Sequence, residues 1–439
     1  MPRESLGPRY AKVWSASAIS LAGDGFILAA MPLLIATTTS SAASVSGLEV
    51  ARGIPWLFFG LFGGVVADRL DRRRVMALVD SLRCIAVGLL AVAAWQHDVS
   101  VGLIWIVAFL LGSGEVFFDN AAQSILPSLV ETEQIERANA RFSVTENVAR
   151  DLAGPAIGAA LFAWAASLPF ALDSASFLAA SLIVFTLRGT YSARPRSRQH
   201  QSSRRARYQE RSRRRREEPS IREDLREGLQ FLRGHELLRS LLLLGCAYNF
   251  LIVGAEAINV LFALRVLHMS KSVYGLVLTA AAVGGIGAGL IADRVIKRLG
   301  PGGTLLTVFP LASIAGILAG TTNSVFVFML AVAVSLGCGT FANIVIITLR
   351  QTLVPDALLG RVNSLFRVGL ATAAPVGALV AGQLAGLVSL RAPLLLMGIG
   401  CGALAVAAGP LVNNAAIEQA KADAAAEFGP DPGSELDPG

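Results

Sequence analysis

Gly64-Val65-Val66-Ala67-Asp68-Arg69-Leu70-Asp71-Arg72-Arg73 closes the second apolar run of this 439-residue chain, and Gly289-Leu290-Ile291-Ala292-Asp293-Arg294-Val295-Ile296-Lys297-Arg298 repeats it 225 residues later. Glycine, aspartate, arginine and the following basic pair keep their spacing in both copies. A second echo lies farther along. Ser128-Leu129-Val130 with Arg137, Asn139 and Phe142 returns as Thr352-Leu353-Val354 with Arg361, Asn363 and Phe366, at an offset of 224. The chain is a duplicated unit of roughly two hundred residues, and a repeat of that length dictates architecture before any local feature does.

Mean hydropathy is +0.59, 54% of residues are hydrophobic and only 16% are charged, against about 25% in ordinary globular domains. A water-soluble fold could not bury so much apolar surface, so lipid is the expected solvent. A hydrocarbon layer about 30 Å thick takes about 20 apolar residues per helix. Candidate spans are 12–36, 44–67, 75–96, 100–124, 143–166 and 169–188, then 238–261, 272–292, 302–320, 324–348, 364–388 and 392–413. The first run is too long for a signal-peptide core and reads as an uncleaved first span. The expected fold is an all-α membrane protein with twelve transmembrane helices in two six-helix bundles related by pseudo-two-fold symmetry. Residues 1–188 form the first bundle, 189–237 a linker, 238–413 the second bundle and 414–439 a disordered tail.

The net charge of +7 is concentrated: residues 194–216 hold eleven arginines and one acid, Glu210, so the remainder carries an acidic excess. Basic residues of the other loops fall on the same side as this linker, at Arg3, Arg9, Lys12, the 69–74 loop from Arg69 to Arg74, Arg137, Arg141, Arg294 to Arg298 and Arg361. The opposite side offers Arg265, Lys271 and Arg391. The positive-inside rule then places both termini and the linker in the cytoplasm. Past its arginine-rich part the linker reads Ser220-Ile221-Arg222-Glu223, a capping box. Ile221, Leu225, Leu229 and Leu232 follow on one helical face, as in a helix lying on the inner membrane surface. The arginines either contact anionic lipid headgroups or serve as a tolerated spacer. Tyr191 and Tyr208 are the only aromatics there, which argues against nucleic acid as a partner.

With these features the sequence resembles the major facilitator superfamily, whose signature is the Gly64 to Arg73 loop between spans two and three. Further elements are similar to bacterial drug and siderophore exporters of that superfamily: Gly23-Asp24, Arg52-Gly53-Ile54-Pro55, Leu126-Pro127-Ser128-Leu129-Val130 and Gly154-Pro155-Ala156-Ile157-Gly158. The resemblance implies a secondary transporter of a bacterial inner (plasma) membrane, with its substrate site near the bilayer midplane. It also implies a cytoplasmic gating motif of Gly64, Asp68, Arg69, Arg72, Arg73 and Asp119, with Gly289, Asp293, Arg294, Lys297 and Arg298 as its second copy. Asp68 would face the start of span eleven near Ser364. Two departures stand out. Asp71 occupies the usual place of a glycine, and span four reads Leu110-Leu111-Gly112-Ser113-Gly114, without the arginine many proton-coupled members carry there.

Charges within the spans identify candidate residues, because an ionisable side chain at mid-bilayer depth is costly and faces a cavity or a partner. Asp24 lies twelve residues past Lys12, about 18 Å into span one at 1.5 Å per residue. It is a candidate for carrying a proton, with a structural pairing as the alternative. The repeat offset lands on Asn249, the same shape without the charge. Glu115, one helical turn before Asp119, is the second proton-coupling candidate. Arg52 pairs with Asp24 or Glu49, or contacts substrate. Arg52, Asn249 and Glu256 are the candidate cavity residues, and Gly154, Pro155 and Pro375 the candidate helix bends.

No phosphate loop is present, which excludes an ATP-driven pump. Cys84, Cys246, Cys338 and Cys401 lie in apolar runs without ligand spacing, and His97, His200, His235 and His268 are scattered, so no enzyme, metal or cofactor site is expected. The expected function is efflux of small amphipathic molecules such as drugs or siderophores, exchanged against protons by a monomer in contact with membrane lipid. A nutrient permease and a non-transporting scaffold or sensor are the open alternatives.

Overall fold

The structure, a computed structural model, describes residues 6–59, 71–131, 134–187 and 221–428. In the N-terminal half, α1 (Pro8–Thr38), α2 (Ala42–Phe59), α3 (Arg72–Trp95) and α4 (Val101–Ile125) lead to α5 (Ile135–Thr145). A π-helical segment (Glu146–Ala153), α6 (Gly154–Trp164) and α7 (Leu168–Phe185) complete it. The linker helix α8 (Ile221–Gly234) precedes α9 (Glu236–Arg265), α10 (Lys271–Thr321), α11 (Val325–Leu353), α12 (Asp356–Leu387), α13 (Ala392–Leu411) and α14 (Asn414–Phe428). No strand occurs among the described residues. Nine of the described helices are long and apolar enough to cross a bilayer, and α10 contains two arms. The protein is a multi-pass membrane protein, in an order consistent with six spans, a linker and six more.

Local chemistry sets the breaks. Gly300 takes φ 72° in the middle of α10, a left-handed conformation that glycine adopts at no steric cost. Pro301 follows and disfavours the helical region for the residue before it, so the chain turns there. The run 143–166 was expected as one span but is interrupted by the π segment. Pro155 lacks the N–H that would continue the preceding ladder, and the wider turn absorbs the mismatch. Large apolar side chains face outward, among them Trp95, Trp164, Phe326 and Leu387, each more than 70% exposed. In a bilayer that surface meets lipid, with the two tryptophans at the interface.

The two bundles meet at the end that carries Arg265. Its guanidinium donates to the carbonyls of Ser40 and Thr39 at 2.8 and 3.0 Å. A Cβ added to Gly275 would stand 2.5 Å from the carbonyl oxygen of Pro155, and one added to Gly53 would touch the Pro375 ring at 3.1 Å. Thr279 donates to the carbonyl of Leu152 at 2.9 Å, near the middle of the molecule. Farther toward the basic end the space between the bundles widens into a cavity that reaches Gly289 and Leu290.

Two expectations are corrected. Helix α8 forms where the capping box placed it, but it docks on α12 as well as offering a face to its surroundings. Glu227 pairs with Arg361, Gly228 lies against Leu365, and Leu232 is buried. The arginine-rich residues 189–220 lie outside the described residues. The tail expected to be disordered from residue 414 forms α14, an alanine-rich sequence with high helix propensity; residues 429–439 lie outside the described residues. Asn414 spans the α10 break: its Oδ1 accepts from the backbone N–H groups of Gly302 and Gly303 at 2.8 and 3.3 Å, and its Nδ2 donates to the Leu299 carbonyl at 2.8 Å. Asn414→Ala removes a cap and should cost about 1–2 kcal/mol, read as a lower apparent Tm in detergent. An unchanged Tm would show that the turn holds without α14.

Candidate functional site

A cavity of about 670 Å³ lies between the bundles, bounded by α1, α2 and the π segment on one side and α9, α10 and α11 on the other. Leucine, valine, alanine and proline make most of the wall. Its charged groups are Glu49, Arg52, Asp151 and Glu256, and Asn147, Asn259, Tyr274 and Thr340 add neutral polar ones. Arg52 and Glu256 both line it. Glu256 is exposed, and the exposure is to this cavity. Asn249 is not in the wall; its Nδ2 donates to the Leu370 carbonyl at 2.8 Å and joins α9 to α12. Asn259, nearly three turns farther along α9, lines the cavity instead, and its buried Oδ1 has no hydrogen-bond partner.

Next to the cavity, inside the N-terminal bundle, is a cluster of charges. Arg150 of the π segment donates to Glu115 of α4 at 2.7 Å, and reaches Glu146 at 3.2 Å. Arg52 stands 4.0 Å from Glu115 on the other side. The expected partner of Arg52 was Asp24 or Glu49; the structure gives Glu115, because α2 and α4 touch backbone to backbone at Gly112, where a Cβ would collide with the Arg52 carbonyl. Asp24 sits beside these groups, in reach of the charges of Arg83, Arg150, Glu115 and Arg52. Asp173 of α7 packs against Gly23 and Asp80 of α3 lies nearby; both are fully buried.

Arg83 explains a departure noted in the sequence. Span four lacks an arginine over Leu110 to Gly114, and the guanidinium of Arg83 from α3 lies against Gly114, so closely that a Cβ there would collide with it. The group lies 5.3 Å from the Phe177 ring and 5.7 Å from the Phe118 ring, and 4.0 Å from Asp80. Two aromatic faces and a carboxylate hold this buried cation. Arg83, Arg150, Asp80 and Asp173 were not singled out from the sequence. The signal was available, since each is an ionisable residue within a candidate span.

Of the gating motif, Gly64, Asp68 and Arg69 lie outside the described residues. Asp71, in the place of a glycine, caps α3 by accepting from the Arg73 backbone N–H at 3.1 Å. Arg72 donates to the Ser124 carbonyl at 2.8 Å and Arg73 to that of Phe185 at 2.9 Å, fastening the start of α3 to the ends of α4 and α7. Asp119 points into the interior of the bundle between α1, α4 and α5. In the second copy Gly289 lines the central cavity, and Asp293 pairs with Lys297 of its own helix at 2.9 Å in an exposed bridge. Arg294 and Arg298 are exposed. Pro375 presses on Gly53, while Gly154 and Pro155 begin α6 against α1.

Comparison with known proteins places this geometry. Macrolide efflux protein A of Streptococcus pyogenes is 24% identical over 396 residues, covering 89% of this chain and 92% of its own. The multidrug efflux pump Tap of Mycobacterium tuberculosis is 26% identical over 410 residues, covering 91% and 92%. Among solved structures, a mutant of the nucleoside transporter NupG superposes with a TM-score of 0.72 at 12% identity, over 92% of this chain and 99% of that one. A bacterial homologue of the iron transporter ferroportin, in an inward-facing state, gives 0.65 at 15% identity, over 95% and 100%. These likenesses establish the fold. The family model described as transmembrane secretion effector matches residues 7–436, so the chain belongs to that family of the major facilitator superfamily and is a transporter.

Proposed function

We propose that the protein expels amphipathic organic cations, of the macrolide and multidrug kind that its relatives are named for, in exchange for protons. The observation that carries the reading is the central cavity and its neighbour. The cavity volume falls in the range of drug-sized sites, its apolar wall suits an amphipathic body, and Glu49 and Glu256 face the same space as Tyr274. Two carboxylates beside an aromatic ring suit an ammonium group. The charge cluster adjoins this space through Arg52. Around Asp24, acids outnumber bases: Asp80, Glu115, Asp119 and Asp173 stand with it against Arg52, Arg83 and Arg150. Such an excess inside the bundle suits groups that exchange protons.

In this reading the basic end faces the cytoplasm of a bacterial plasma membrane. The described conformer, closed at Arg265 and open toward Leu290, is then the inward-open state that receives substrate from the cell. Rocking of the bundles would open the other end.

Inside-out vesicles containing the protein test this. With the lumen acid, labelled erythromycin should accumulate several-fold above the level without a gradient. Accumulation that ignores the gradient would reject proton exchange, and accumulation only when the gradient is reversed would make the protein an importer.

A further inference from the structure

A second chamber, of about 560 Å³, lies wholly within the N-terminal bundle between α1, α4 and α5. Its polar lining includes Ser17, Ser20, Asp24, Asp119, Ser143 and Glu146. Ser17 is only 3% exposed and its Oγ has no hydrogen-bond partner in the protein. A buried hydroxyl without a partner beside a polar space of this size is a water site. The chamber extends toward the basic end: Asn139 and Phe142 line it there, and Ser143 and Glu146 are exposed.

Asp24 faces both this chamber and a small pocket of about 50 Å³ on its other side. That pocket shares Leu48, Glu49 and Arg52 with the central cavity. Two elements part the chamber from the cavity. One is the Arg150–Glu115 ion pair at 2.7 Å. The other is the contact of α1 with the π segment and α6, so close that a Cβ on Gly25 would stand 2.8 Å from the carbonyl oxygens of Ala149 and Arg150. The charged groups around Asp24 come from five elements: Arg52 of α2, Asp80 and Arg83 of α3, Glu115 of α4, Arg150 of the π segment and Asp173 of α7.

We propose that this chamber is the route by which Asp24 exchanges its proton with water at the basic end, by way of Asp119 and Glu146, while the central cavity holds substrate. The inference rests on the proton-exchange reading above and adds a separate path to it. In the conformer described, substrate enters through the mouth of the central cavity, and a bulky amphiphile there obstructs any proton leaving by the same way. The chamber removes that conflict. Substrate and proton then meet only at the Arg52–Glu115–Arg150 group, where occupancy of one side is felt by the other.

The test uses the full chain in proteoliposomes. Ser143→Cys is modified with a sulfonatoethyl methanethiosulfonate, which fills the chamber mouth and leaves the central cavity alone. Each preparation is compared with itself before modification, and the wild-type chain treated alike gives the background from its four native cysteines. Transport of labelled erythromycin driven by a pH gradient should fall about tenfold on modification, with erythromycin binding within about twofold. Ser143→Trp should behave as the modified variant. Undiminished gradient-driven transport after complete modification would overturn the separate path, as would equal loss of binding and transport. Asp24→Asn distinguishes the two levels. If it abolishes gradient-driven transport while modification at Ser143 does nothing, only the path fails; if it transports as the wild type does, proton exchange at Asp24 fails with it.

Discussion

Arg150→Met is expected to lower stability by about 2–3 kcal/mol, below the loss of about 3–5 kcal/mol for one member of a fully buried ion pair, because this pair is part-buried. Glu115 would then face the bundle interior with its nearest guanidinium, Arg52, at 4.0 Å instead of 2.7 Å from Arg150. Glu115→Gln should be damaging for the converse reason, since Arg150 would keep only Glu146, which is half exposed. The double variant should be more stable than the sum of the two losses requires, by about 1–3 kcal/mol. Unfolding in detergent, followed for the four members of the cycle, measures this, and strictly additive losses would show that the pair is not a unit. A functional effect accompanies the structural one. Without Arg150, Arg52 is drawn toward Glu115 and away from the cavity wall, so substrate binding should weaken in Arg150→Met more than in Glu115→Gln.

Gly154→Leu should also be harmful, and for a reason of space. A Cβ there would lie 2.5 Å from the Cα of Gly25 and 2.7 Å from the carbonyl oxygen of Ala149. Both obstacles are backbone, so no side chain can swing aside. α1 and α6 must separate, which costs about 1–3 kcal/mol for overpacking. The displacement also carries the π segment and Arg150 away from Glu115. Gly287→Ala is the contrast: nothing lies within 4 Å of its added methyl, and alanine favours the helix by about 1 kcal/mol over glycine. Folded yield by size-exclusion chromatography should collapse for the first and hold for the second. Equal yields would mean that the α1–α6 contact is looser than described.

The architecture was legible because lipid simplifies the code. Apolar length and the Gly64/Gly289 repeat sufficed for the order of helices, and arginine placement separated the ends that Arg265 and Arg72 occupy. Asp24, Glu115 and Arg52 were legible by depth. Their partners were not, since pairing depends on which helices touch, and Gly112 is a signal only when its neighbour is known. Asn249 shows the limit of reasoning by repeat: the offset is right, but the side chain is taken by Leu370. Arg83 shows the opposite failure, because a side chain from α3 fills the space at Gly114 in α4. The tail was misread since its prolines and glycines lie beyond Phe428, while Asn414 and the alanines before that point favour a docked helix.

The closure at Arg265 has an energetic corollary. Apart from helix packing, one guanidinium on two main-chain oxygens joins the bundles there, two bonds worth about 1.5–3 kcal/mol each. A single proton crossing about 100 mV supplies about 2.3 kcal/mol. At those values the two bonds together hold about 3–6 kcal/mol, the energy of roughly one to three such charge crossings. Because the acceptors are peptide carbonyls, drift in the side chains at positions 39 and 40 leaves their strength unchanged.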